Sequence, residues 1–197
     1  MNETDLTQRD ALVIVDVQRD FCPGGALPVP QGDQIVAPLN AWIAQAQQCG
    51  AVVAASRDWH PRGHPSFKAE GGSWPEHCVR DTEGAAFCSG LRLPAQTLVV
   101  CKGVRFDRDQ YSAFDETGLA AALKKRGVER VWVAGLALDV CVRATALDAV
   151  AAGFETHVVL RLCRALSPAG ERDALAEMEL AGVNIDERTA RAFAELE

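Results

Sequence analysis

The sequence predicts an α/β protein built on an open parallel β-sheet with helices on both faces. Three observations carry this expectation. Short apolar runs rich in Val, Ile and Ala recur along the chain; segments of helical period lie between them, several closing on a glycine; no internal repeat, low-complexity tract or linker breaks the alternation. Strands buried on both faces appear as continuous apolar runs, not alternating ones. Strand–helix alternation over a whole chain produces a parallel sheet with right-handed crossovers. The 197 residues suffice for one domain of ordinary size, expected over 1–197.

Taken in order, "ALVIVDV" (11–17) predicts the first strand, and "DQIVAPLNAWIAQAQQCG" a helix that stops at Gly50. "AVVAAS" (51–56) and "TLVVCK" (97–102) predict the second and third strands, and "DETGLAAALKKRG" a helix stopping at Gly127. "RVWVAGL" (130–136) is the fourth strand, followed by the helix "DVCVRATALDAVAAG", which stops at Gly153. "THVVLRL" (156–162) is the fifth, and "AGERDALAEMELAG" after Pro168 gives a last helix. Two irregular stretches, 18–32 and 57–96, exceed the usual connections, and loops of that length are usually functional or disordered. They carry three of the four histidines, together with several aromatics and many glycines, which favours function.

Composition narrows the classes. With 27 acidic against 20 basic residues the net charge is −7, and no Lys/Arg cluster offers a nucleic-acid footprint. The first residues, "MNETDLTQRD", are acidic and polar where a secretory leader is basic and then apolar. No apolar stretch reaches the roughly 18 residues of a membrane span. A soluble cytoplasmic chain is expected, with no nucleic-acid or membrane partner. The seven cysteines are odd in number and form no C-x-x-C pair, so reduced thiols are expected.

Ligands of open α/β sheets bind beyond the carboxyl ends of the strands. Asp16 stands at the end of the first predicted strand, Asp58 and His60 just after the second, Lys102 at the end of the third and Cys141 just after the fourth. One rim thus collects them. A cysteine is more often a buried small hydrophobe than a nucleophile. If Asp139 caps the following helix, however, Cys141 lies in its first turn, where free N–H groups and the helix dipole lower a thiol pKa. Asp16 can be a salt-bridge partner or a general base, and Lys102 a solvated lysine or a cation that holds thiolate and carboxylate together. Asp58-x-His60 with His77 suits a divalent ion such as zinc, iron or manganese and leaves positions open, although loop histidines are often merely exposed. His64 lies four residues after His60, but Pro61 and Gly63 argue against a shared helical face. Phe21 and Trp74 could line a slot for a planar ring or simply pack their loops. His157, inside a strand, is most simply structural.

These residues and their setting resemble the nicotinamidases of the isochorismatase-like cysteine hydrolase superfamily, from about Leu12 to about Pro168. The resemblance rests on "VIVDVQRDFCPGGAL", "SRDWHP.GH.SF", "WPEHCV", "KG.......YSAF" and "GLALDVCV" in that order. It implies a three-layer α/β/α fold and a metal-dependent cysteine amidohydrolase that turns nicotinamide into nicotinate and ammonia through a thioester, in NAD salvage. Cys141 then matches the nucleophile, Asp16 the general acid/base and Lys102 the third member of the triad. Asp58, His60 and His77 match the ligands of one divalent metal, with Ser66 where family members vary between a ligand and a holder of metal-bound water, and His64 as an additional candidate. Phe21 and Trp74 match the aromatics around the pyridine ring. The N–H groups of Ala137 and Cys141 match the oxyanion hole, and Leu136–Ala137 a peptide that is cis in the family. One departure stands: Leu138 replaces a common Thr.

Other readings start from the same residues. An amidase of the superfamily acting on a carbamoyl or ureido substrate would not need the metal set. A non-catalytic metal-binding domain would not need Asp16, Lys102 and Cys141 together. A non-haem iron oxygenase would leave the thiol and lysine without a role. The expected partner is a small aromatic amide, and the sequence leaves open whether the chain forms a homo-oligomer.

Overall fold

Along β1 (Asp10–Val15) alternate residues face opposite sides of the sheet, yet every one is buried. The computed structural model, which describes residues 6–187, shows what covers them. Leu12 and Ile14 lie under α1 (Val36–Cys49), whose Leu39, Trp42, Ile43 and Ala46 form its buried stripe. Ala11, Val13 and Val15 face the other way, into a cluster closed by α2 (Leu119–Lys125), α3 (Arg143–Ala151) and α4 (Pro168–Leu180). The continuous apolar runs are therefore strands sandwiched between two helical layers, as the sequence predicts.

The remaining strands are β2 (Val52–Asp58), β3 (Leu98–Lys102), β4 (Arg130–Leu136), β5 (Glu155–Arg164) and β6 (Asn184–Asp186). All pair in parallel in the order β3-β2-β1-β4-β5-β6. The sixth strand is absent from the sequence expectation because its three residues form no apolar run. β1 stops at Val15, two residues early, because Asp16 takes a left-handed φ of 48° and leaves the extended conformation. α2 is shorter than expected and starts only after Gly118, at φ 78°, which leaves residues 103–118 as a long loop over the rim.

Two local features hold the central strands in place. At the amino end of β1, buried Asp10 accepts from Arg130 Nε at 2.5 Å and Nη2 at 2.9 Å, and from the Thr7 amide and hydroxyl at 2.6 and 2.8 Å. At the carboxyl end of β4, Gly135 has φ 133°, and a Cβ there would lie 2.1 Å from the Val15 carbonyl oxygen. Only glycine lets β4 approach β1 so closely at the point where the chain turns toward Cys141. The Leu136–Ala137 peptide that follows is cis. Among the described residues, no helix is long and apolar enough to cross a membrane.

Candidate active site

Because β3, β2, β1 and β4 are neighbours, the carboxyl ends of four strands deliver four side chains to one place. Lys102, 0% exposed at the end of β3, sets its Nζ 2.8 Å from Asp16 Oδ2, 2.5 Å from Asp58 Oδ1 and 3.3 Å from Cys141 Sγ. An ammonium removed from water needs such partners. Asp16, Asp58 and Cys141 supply them, and they hold the lysine pKa well above its ordinary value despite burial, so it stays charged. Ser56 on β2 donates to Asp16 Oδ1 at 2.7 Å. Burial pushes the Asp16 pKa up; Lys102 pulls it down, and nearby Asp58 adds to the rise.

Cys141 lies in a wide π-type turn, Leu138–Val142, that leads into α3. Here the structure corrects two expectations. Asp139 does not cap this turn: the residue at its start is Ala137, with no side-chain cap bond, and Asp139 instead accepts from the Leu166 amide at 2.9 Å. Nor is the thiol pKa lowered by its place in the chain. Burial pushes it well above the ordinary range; Lys102 opposes this, while Asp16 and Asp58 reinforce it. Such a thiol keeps its proton at neutral pH, and the Asp16 carboxylate, with its own pKa raised, lies beside it. Leu138 is buried in the apolar cluster beneath α2, α3 and α4 and serves there as a packing residue.

Asp58 also faces a second constellation. Its Oδ2 lies 3.5 Å from His60 Nε2 and 3.7 Å from His77 Nε2. His60 donates its Nδ1 hydrogen to the Gly103 carbonyl at 2.9 Å, and His77 donates its own to the Pro75 carbonyl at 2.7 Å. Both rings thus turn Nε2 toward the same carboxylate, the arrangement by which outer hydrogen bonds orient metal-binding imidazoles. His60 Nε2 is buried and makes no hydrogen bond, and donor atoms of the three residues lie within 4.8 Å of one another. The residues therefore fit a divalent cation. Gly103 makes room for the His60 ring: a Cβ there would stand 2.4 Å from Cε1. His64 lies beside His60, its ring tilted by 38° with centroids 4.3 Å apart, and pairs through Nδ1 with Ser66 Oγ at 2.7 Å. Burial and the neighbouring His60 hold its pKa below the ordinary value.

A pocket opens beside the thiol and this constellation. Phe21, Trp74 and Tyr111 give it aromatic walls, Leu27, Val140 and Leu166 apolar ones, and Cys141 and His77 reach its surface. Trp74 Nε1 donates to the Tyr111 hydroxyl at 3.1 Å, which ties the loop 103–118 to the loop carrying His77.

A family model described as the isochorismatase domain matches residues 10–188. The chain belongs to the isochorismatase family. Among its family relatives, the nicotinamidase of Acinetobacter baylyi is 37% identical over 88% of this chain and 90% of its own. The crystal structure of the pyrazinamidase of Pyrococcus horikoshii in complex with zinc superposes with a TM-score of 0.87 and 45% identity, covering 90% of this chain and 98% of that one. PnC1 from L. infantum, in complex with nicotinate, gives a TM-score of 0.87 at 38% identity, over 92% and 94%.

Within this isochorismatase-family chain, sequence reasoning missed the residues that hold the others. Gln18, fully buried, donates Nε2 to the carbonyls of Asp58 at 2.8 Å and Ala85 at 2.9 Å, and its Oε1 accepts from the Asp58 amide at 2.8 Å. Asp20 accepts from the Cys78 amide at 2.7 Å and so anchors the segment next to His77. Ser56 and Gln18 each follow an apolar run, and a polar residue where a strand ends was the available signal. Tyr111 falls in the quoted "YSAF" motif without a role, and nothing in the sequence singles out Leu166 as a wall.

Proposed function

We propose that the chain is an amide hydrolase that converts nicotinamide to nicotinate and ammonia, an activity belonging to NAD salvage. The observation that carries this reading is the Lys102 ammonium within 3.3 Å of a buried thiol and 2.8 Å of a buried carboxylate, beside an aromatic-walled cavity. Relatives named nicotinamidase over most of the chain supply the substrate.

Asp16 takes the proton from Cys141 Sγ, and the sulfur attacks the carboxamide carbon. The N–H groups of Ala137 and Cys141 receive the oxyanion. Protonated Asp16 gives its proton to the amide nitrogen, the C–N bond breaks, and ammonia leaves a thioester on Cys141. Asp16 then takes a proton from water as the water oxygen attacks the thioester; the C–S bond breaks, and sulfur recovers its proton to release nicotinic acid, which ionises to nicotinate. Lys102 stays charged throughout and holds the carboxylate and the sulfur in register. Phe21 and Trp74 clasp the ring. Asp58, His60 and His77 would hold one divalent ion, zinc, iron or manganese, with His64 and Ser66 behind them. Bound there, it supplies a Lewis acid that orients the ring nitrogen. The pair Asp16 and Cys141 distinguishes this reading from a non-catalytic metal-binding domain, which has no use for a base against a buried thiol.

Ammonia release from nicotinamide, measured before and after dialysis against a chelator, tests the reading. The expected result is turnover that falls with bound metal and returns when metal is restored. No turnover by metal-loaded protein would remove nicotinamide as substrate; full turnover by metal-free protein would remove the cation.

A further inference from the structure

Asp139 stands two residues before Cys141 but turns away from the thiol. Its Oδ1 accepts from the Leu166 amide at 2.9 Å, across the gap between the catalytic turn and the segment that joins β5 to α4. Its other oxygen, Oδ2, fills the space in front of Gly170: a Cβ on Gly170 would lie 2.3 Å from Oδ2 and 3.1 Å from Asp139 Cβ. Gly170 itself is fixed at the start of α4, where its amide donates to the Ser167 hydroxyl at 3.0 Å. The carboxylate is therefore held on both oxygens, by an amide on one side and a glycine-shaped recess on the other. Leu166 lines the cavity together with Val140 and Cys141.

We propose that Asp139 is a positioning residue that holds the Leu166 wall of the ring cavity at a fixed distance from Cys141. The assignment rests on the reading of the cavity as the nicotinamide site. A wall held in one place binds ring, thioester and transition state alike, so its loss weakens binding without changing the chemical step. This separates Asp139 from Asp16, whose loss removes the step. It also explains a glycine in the first turn of a helix, where alanine is ordinarily the more stable residue.

The test has two arms. In kinetics with nicotinamide, Asp139→Ala should raise KM by about ten-fold or more while kcat stays within about three-fold. Asp139→Asn keeps an acceptor for the Leu166 amide and should restore KM to near the wild-type value. The rate of Cys141 alkylation by iodoacetamide should be the same in all three proteins. A fall in kcat and in alkylation rate with KM unchanged would overturn the proposal in favour of a role in activating the thiol. The second arm needs no turnover and so stands even if nicotinamide is not the substrate. Gly170→Ala should lower the unfolding midpoint in the wild-type background, and should be neutral or stabilising in the Asp139→Ala background. Equal effects in the two backgrounds would show that the carboxylate does not occupy the recess, and would likewise overturn the proposal.

Discussion

Ser56 donates its hydroxyl to Asp16, and that one bond bears on how readily the carboxylate gives up its proton. A hydrogen bond to the charged form of an acid stabilises that form and lowers its pKa. Burial already drives the Asp16 pKa upward, against the pull of Lys102. The acid limb of kcat/KM should therefore lie above the ordinary carboxylate range of about 4. Ser56→Ala should move it further up, since the removed bond had favoured ionisation. A pH profile of both proteins checks this; a limb that stays in place or moves down contradicts the assignment of Asp16 as the base. The convergence of Asp16, Lys102 and Cys141 was legible in the sequence because each stands at or just after the end of an apolar run, where the strand fixes its place. Asp139 was misread for the opposite reason. An aspartate before a helix looks the same whether it caps that helix or reaches across to another segment. The thiol pKa was misjudged because chain position reports a helix end but not the burial that outweighs it.

At the scale of elements, the strands were legible because five of the six are apolar runs buried on two faces, a pattern solvent-facing strands lack. The polar β6 carries no such pattern and stays invisible until Asn184 and Ile185 are found paired with His157 and Val158. The loop 103–118 was underestimated because Asp115 to Thr117 extend the helical pattern of α2, and only the structure shows Gly118 ending it. The joint between β1 and β4 offers a stability prediction. Burial opposes ionisation of Asp10, but the bond from Arg130 and those from Thr7 together hold its pKa below the usual value. A carboxyl whose pKa is lowered on folding stabilises the fold at pH values above its unfolded pKa, about 4. That contribution disappears as pH falls through the lower folded value. Asp10→Asn should cost about 1–2 kcal/mol in urea unfolding at neutral pH. The gap between the two proteins should close in acid well below pH 4. A gap independent of pH would mean that shape, not charge, holds this joint.

For the molecule as a whole, the order β3-β2-β1-β4 makes the site. Residues 16, 58, 102 and 141 are far apart in the chain and become neighbours because consecutive positions in the sheet present their carboxyl ends side by side. Asp58 is the hinge of the arrangement, with one oxygen on Lys102 and the other facing His60 and His77. The Cys141–Lys102 pair and the His60–His77 constellation therefore share one carboxylate. The sequence conveyed this convergence through the rim to which each residue belonged. It could not convey the supports, Gln18 behind Asp58 and Gly103 behind His60, whose importance lies only in close approach. Attack of the buried Cys141 thiol on the amide is tested most directly by the rate of ammonia release from nicotinamide by Cys141→Ala. The account predicts a loss of at least about a thousand-fold, with circular dichroism and bound metal unchanged. Turnover within about ten-fold of wild type by the folded, metal-loaded variant would contradict it.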